Sequence, residues 1–290
     1  MARLWRSKKA LRAGLAALGL AAALVLWQRD AVLQGGTAEQ QHGLAMQLLA
    51  GHGDADQQGR AMALLEAAAR QGHGQAAYAL ARLHDGSGGG RIDQDRARAW
   101  LQQAAVAGHR QAQVDLAFLH FNGAGGTPRD MAQAAHWFEQ AAAAGAVIAQ
   151  CMMGDLHRTG LGGVPRDDAL ALRWYAVSAA QDDRCAPKAQ FELYVSYEAG
   201  RGVAPDLATA MAWLRKAADA GNPRAQYTLG RSYERGHGVP QDFQLARSWL
   251  RKSRDGVSWH DDHEHGELKA SFPNWVAQSG AMAWATALGR

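Results

Sequence analysis

A G-x-G triplet recurs six times, as Gly51-His-Gly53, Gly86-Ser-Gly88, Gly123-Ala-Gly125, Gly160-Leu-Gly162, Gly200-Arg-Gly202 and Gly236-His-Gly238, at spacings of 35, 37, 37, 40 and 36 residues. Thirteen or fourteen residues after the start of each triplet stands Leu64, Trp100, Trp137, Trp174, Trp213 or Trp249. An Asp precedes the last five by seven residues (Asp93, Asp130, Asp167, Asp206, Asp242), and an Ala precedes all six by three (Ala61, Ala97, Ala134, Ala171, Ala210, Ala246). A period of this length confines the fold to a stack of supersecondary units, each burying a face against its neighbours.

Each unit reads as two helices. The first is marked by Ala76, Ala112, Ala149, Ala189 and Ala225. Counting from that Ala, offset +4 is Leu80, Leu116, Met153, Leu193 or Leu229, and offset +8 is His84, His120, His157, Tyr197 or Tyr233. Offsets 0, +4 and +8 trace one stripe of a 3.6-residue period. The G-x-G then stops this helix, since Gly accepts the left-handed conformation of a helix C-terminus. The Asp opens the second helix by capping its free N–H groups. Within it, Ala three before Trp and a small residue four after (Ala104, Ala141, Ser178, Ala217) make one face, and a terminal Gly (Gly72, Gly108, Gly145, Gly221, Gly256) closes it. The abundance of Ala, with only 7 Pro, suits this all-helical reading.

The combined pattern, A-x-A-Q-Y-x-L-G-x-x-Y-x-x-G-x-G-V-x-x-D followed by Ala, Trp and A-A-x-x-G, resembles the Sel1-like repeat family, a cousin of tetratricopeptide repeats. Residues 222–256 match it best, and the resemblance covers residues 38–256 in units of about 38–72, 73–108, 109–145, 146–185, 186–221 and 222–256. It implies an all-α fold, an α/α solenoid of about six helix pairs whose concave side is lined by the first helices. It also implies a scaffold or adaptor without chemistry of its own. His84, His120 and His157 depart from the family's Tyr, Tyr194 from a small residue, and the first unit lacks the Trp. The loop Gln181 to Pro187 adds about three residues and loses the terminal Gly.

Residues 1–33 form a separate segment. Arg3, Arg6, Lys8, Lys9 and Arg12 precede an uncharged run from Ala13 to Gln28, which Arg29 and Asp30 close. A basic stretch before an apolar run marks a signal anchor or a cleaved secretory signal. Arg12 and Arg29 can snorkel and Trp27 suits the interface, so the run predicts a single transmembrane helix with the N-terminus in the cytoplasm and the repeats in the periplasm. The net charge of +4 owes its excess to this segment, so nucleic acid is not the expected partner.

Candidate chemistry is sparse. His84, His120 and His157 occupy a packing register, too far apart in neighbouring units to share one metal. His260, His263 and His265, interleaved with Asp261, Asp262 and Glu264, precede an expected C-terminal capping helix within 257–290; two imidazoles and a carboxylate there could take Zn or Ni, although a solvated loop explains them as well. Cys151 sits at offset +2, where sister units carry Tyr78, Val114, Phe191 and Tyr227, so it reads as core; Cys185 could reach it only if the inserted loop folds back. No S-x-x-K, P-loop, dinucleotide glycine pattern or nucleophile elbow occurs.

The leading expectation is therefore a non-catalytic, membrane-anchored scaffold with no cofactor, binding a protein or peptide on its concave face. The rivals are a secreted hydrolase or β-lactam-binding enzyme of the Cys-rich type, and a periplasmic metal-binding protein using the His-rich tail. Offsets +3 and +6 of the first helices vary from unit to unit and share a face. That face predicts partner-binding residues at Asp115, Phe118, Met152, Asp155, Glu192 and Arg231, with Phe118 and Met152 as exposed apolar anchors.

Overall fold

The computed structural model describes residues 35–51, 55–87, 92–181 and 183–255. These residues are helical throughout their regular structure, with no strand among them. The helices are α1 (Ala38–Ala50), α2 (Ala55–Arg70), α3 (Gly74–His84), α4 (Gln94–Val106), α5 (Arg110–Asn122), α6 (Met131–Ala143), α7 (Val147–Thr159), α8 (Asp168–Ala179), α9 (Ala186–Ala199), α10 (Leu207–Asp219) and α11 (Pro223–Arg235). A twelfth stretch, α12, covers residues 243–255. Six first helices thus alternate with six second helices, and the chain divides into two compact units after Leu80.

In the first unit, Thr37 starts α1 with a capping box: its hydroxyl accepts from the Gln40 amide, and its own amide donates to the Gln40 side chain. α1 packs on α2. Gln71 Nε2 donates to Gln41 Oε1 at 2.8 Å, and His73 Nε2 meets Glu39 Oε2 at 3.1 Å while its Nδ1 accepts from the Ala76 amide to cap α3. One tautomer, protonated on Nε2, satisfies both contacts of His73.

The second unit runs as a ladder in which α4 packs on α5, α5 on α6, and so on to α11. Its joints repeat one set of bonds. Each capping Asp accepts from amides in the first turn of its helix: Asp93 from Arg96, Asp130 from Ala132 and Gln133, Asp167 from Ala169 and Leu170, Asp206 from Ala208 and Thr209, Asp242 from Gln244 and Leu245. The amide of each of these Asp residues donates to the carbonyl at the +8 register, at 2.8–2.9 Å in all five units. The backbone makes that bond, so His and Tyr can interchange at +8.

A second recurring bond comes from the Gln of A-x-A-Q. Gln113, Gln150, Gln190 and Gln226 are buried, and their Nε2 groups donate to the carbonyls of Ala105, Ala142, Ala179 and Ala218 near the end of the preceding helix. Three of those carbonyls, at Ala105, Ala142 and Ala218, also accept the amide of the terminal Gly three residues on, and each Gln adds a bond that ties a first helix to the helix before it. The bond normally spans eight residues; across the inserted loop it spans eleven and still forms. The extra residues are looped out and the packing register survives.

The core sits on the Ala/Leu stripe and on the residue after each Trp. Leu65, Leu101, Phe138, Tyr175 and Leu214 occupy that following position and are all fully buried. Among the five Trp of the described residues Trp137 is buried, while Trp100, Trp174, Trp213 and Trp249 are intermediate. The Trp ring covers the joint, and its neighbour fills it. The G-x-G also does more than end a helix. Gly200 takes the left-handed cap of α9, but a Cβ on Gly202 would stand 2.3 Å from the Asp168 carbonyl oxygen at the start of α8. Gly162 lies as closely on Met131 of α6, so the second glycine is the contact point between neighbouring repeats.

No described helix is long and apolar enough to cross a membrane. The expected anchor (13–28), the His-rich cluster (260–265) and the C-terminal capping helix lie outside the described residues.

Candidate functional site

The densest cluster of charge in the core lies where α7, α8 and α9 meet. α7 carries Cys151, Gly154, Asp155 and Arg158; α8 carries Tyr175; α9 brings Lys188 and Glu192. Tyr175 lies on the backbone of α7 because Gly154 has no side chain: a Cβ there would be 2.5 Å from the ring. The Tyr175 hydroxyl donates to Asp155 Oδ1 at 2.7 Å, and Arg158 Nε donates to the hydroxyl at 3.3 Å. Lys188 Nζ pairs with Asp155 Oδ2, and Arg158 Nε is 3.8 Å from Glu192 Oε2.

Two cations and two carboxylates therefore compensate one another, as burial requires. Burial, then the Asp155 and Glu192 charges, pushes the Tyr175 phenol well above its ordinary range, so the ring stays a neutral donor. Burial pulls Lys188 down, but the Cys151 thiol group and Asp155 more than offset it and hold the amine charged. The cluster presents a hydrogen-bonded, charge-balanced patch from which Arg158 and Lys188 still reach solvent, with side-chain exposures of 27% and 28%.

The residues expected to bind a partner are distributed differently from the expectation. Asp155 and Glu192 belong to this cluster. Asp115 is fully buried in α5, accepting from Gln111 Nε2 at 2.9 Å. Phe118 is 3% exposed, edge-on to Phe138 at 5.0 Å between centroids, and Met152 is 3% exposed. Neither is an exposed apolar anchor: Phe118 packs on Phe138 of the helix that follows it, and Asp155 is covered by Tyr175 and Lys188. Arg231, in α11, is partly exposed and paired with Glu234. Of the six, only Arg231 offers a side chain more than a third exposed.

Sequence reasoning missed Arg158, Tyr175 and Lys188. Tyr175 follows a Trp like the core residues of other units, and its hydroxyl gives no periodic signal. Arg158 and Lys188 read as ordinary surface charges until the helices are assembled. The +8 histidines pack as expected but differ in bonding. His157 Nδ1 lies 3.3 Å from the Pro165 carbonyl, whereas His84 Nε2 and His120 Nδ1 are buried without a partner. Burial holds the His120 pKa below its usual value, against the opposing charge of Asp130. Among the described residues, no group of three or more His, Cys, Asp or Glu is placed to hold a metal. Cys151 and Cys185 are both free; each thiol is the largest influence on the other's acidity, lowering Cys151 and raising Cys185.

The Sel1 repeat family model matches residues 39–73, 74–109, 110–145, 147–183, 187–222 and 223–256. These boundaries fall within two residues of those read from the sequence. A crystal structure of a Sel1 repeat protein from Oxalobacter formigenes is 29% identical with a TM-score of 0.63, covering 80% of this chain and 65% of that one. The structure of c5321, a protective antigen present in uropathogenic Escherichia coli strains and displaying an SLR fold, is 31% identical with a TM-score of 0.64, covering 79% of this chain and 48% of that one. The chain thus spans just under two thirds of the first relative's length and about half of the second's. No curated protein matches the chain.

Proposed function

Since this chain belongs to the Sel1 repeat family, we propose that it is a membrane-anchored scaffold binding a protein or peptide along its first helices, outside the cytoplasm. Sel1 repeat proteins are generally protein-interaction scaffolds and typically non-catalytic. The observation that carries the reading is the run of first helices α5, α7, α9 and α11 in one compact unit. On the last three of them Arg158, Lys188 and Arg231 keep partial access to solvent. Repeated presentation of one helix face suits an extended partner. Polar groups held by a network, as at Arg158 and Lys188, lose little freedom on binding. The basic segment and the apolar run 13–28 support the tether and its orientation.

A photo-activated cross-linking residue at position 231 tests the binding face, with one at Arg173, exposed on the second helix α8, as control. A protein adduct formed from 231 and not from 173, in native membranes, is the expected result. Equal capture from both positions, or none from 231, refutes the face. A reporter active only in the cytoplasm, fused after Arg290, is expected to be silent, and the protein to resist carbonate extraction. Reporter activity overturns the orientation, and release by carbonate overturns the tether.

A further inference from the structure

The chain has two cysteines, 34 residues apart, Cys151 on α7 and Cys185 at the N-cap of α9. Cys151 and Asp155 are i and i+4 on α7, so they share a face; Cys185 and Lys188 are three apart at the start of α9 and share another. Lys188 Nζ reaches Asp155, which brings these two faces together. The two thiols are neighbours, each the largest influence on the other's acidity. Cys185 stands in the inserted loop, the one joint where the terminal Gly of the preceding helix is missing, and the family match skips residues 184–186. The extra residues that interrupt the repeat are those that deliver the second thiol.

We propose that Cys151 and Cys185 form an oxidisable dithiol that closes to a disulfide tying α7 to the N-cap of α9, with a protein or small-molecule disulfide as oxidant. Cys185, the more accessible of the two although Cys151 and burial push its thiol up, gives up its proton as it attacks the oxidant; the proton goes to the departing oxidant sulfur, which leaves as a thiol, and a mixed disulfide remains at Cys185. Cys151 then attacks Cys185 Sγ and expels the second oxidant sulfur. The two protein thiols lose two protons and two electrons, the oxidant disulfide gains them, and two oxidant thiols leave. In the reduced pair the Cys185 thiol, and also the Lys188 charge, favour the Cys151 thiolate against the cost of burial; once Cys185 carries the oxidant sulfur, Lys188 is what favours that thiolate for the second step. In the mixed disulfide Lys188 remains beside it. The inference does not rest on the binding face proposed above.

The test uses the full chain in mild detergent, equilibrated with oxidised glutathione under native conditions and then alkylated and digested without reductant. The expected product is a Cys151–Cys185 linked peptide, lighter by two hydrogen atoms than the sum of its parts. A Tm higher in the oxidised than in the reduced protein should accompany it, with the difference absent in Cys185→Ala. Recovery of both cysteines as alkylated thiols overturns the proposal. So does a glutathione adduct that persists on Cys185, because Cys151 has then failed to resolve it.

Discussion

The joint built by α7 and α8 and the joint built by α9 and α10 use one geometry with opposite chemistry. In the first, the first helix contributes Gly154 and the second helix contributes Tyr175; in the second, the first helix contributes Tyr194 and the second helix Leu214. Bulk has moved from one side of the crossing to the other. The tyrosine hydroxyl then decides the polarity around it. Tyr175 points its hydroxyl into the core and requires Asp155, which requires Lys188. Tyr194 hydrogen-bonds Glu198, which is exposed, and its ring joins an apolar cluster with Phe191, Met211 and Leu214. A repeat array can therefore change the character of a joint without changing its register, provided volume is conserved and each buried polar atom is matched.

The largest expected effect comes from removing the bulk in the polar joint. Tyr175→Ala should destabilise by about 4 kcal/mol, because it opens a cavity and strips Asp155 of a donor. Tyr175→Phe should cost only about 1–2 kcal/mol, the share of the hydroxyl. Equal losses in denaturant melts would mean that the bond to Asp155, not the ring, holds this joint.

Next is Asp155→Ala, which leaves Lys188 and the Tyr175 hydroxyl unmatched. Breaking a buried pair costs about 3–5 kcal/mol, and the low end applies here because Lys188 is partly solvated. A loss under about 1 kcal/mol would show that water replaces the carboxylate without difficulty.

Gly154→Ala forces a methyl into the Tyr175 ring and should cost about 1–3 kcal/mol. Combined with Tyr175→Leu, which imitates the α9–α10 pairing, the same change should cost less than it does alone. A coupling of about 1 kcal/mol in the double-mutant cycle would confirm that bulk is traded across the crossing. Strict additivity would refute the trade.

The smallest effect concerns pH. Burial lowers the folded-state pKa of His120 below its unfolded value, so the unfolded chain binds the proton more readily. Its contribution is complete above about pH 6.5 and shrinks as pH falls through that value toward the folded pKa. Tm should therefore decline from pH 7.5 to pH 5, and His120→Gln should flatten part of that slope. An unchanged slope in the variant would assign the dependence to other groups, such as His42, which burial and then His73 also lower.

Much of the local architecture was legible. The five Asp caps, the Ala/Leu stripe and the left-handed glycines ending α5, α7, α9 and α11 are all where the spacing predicts them. The capping box Thr37–Gln40 was equally legible, as an S/T-x-x-E/Q pattern before a helix, and passed unread. The partner surface was not legible: Phe118 and Met152 vary between units as surface residues do, yet they are core. Variation at a register marks freedom only if nothing packs there. In a stack each joint can fill the same space with different residues, as Gly154 with Tyr175 and Tyr194 with Leu214 do.

The sequence by itself determined the period, the helix pairs and their caps, because these depend on contacts within about four residues and on the stripe of one helix. Only the tertiary structure decided which side of each first helix is covered. It alone set Asp155 against Lys188 and Cys151 against Cys185, and showed that the second glycine of G-x-G touches the repeat before it. The reason is distance along the chain. These partners lie about 27 to 34 residues apart, and what brings them together is the packing of neighbouring helices, which local periodicity does not encode.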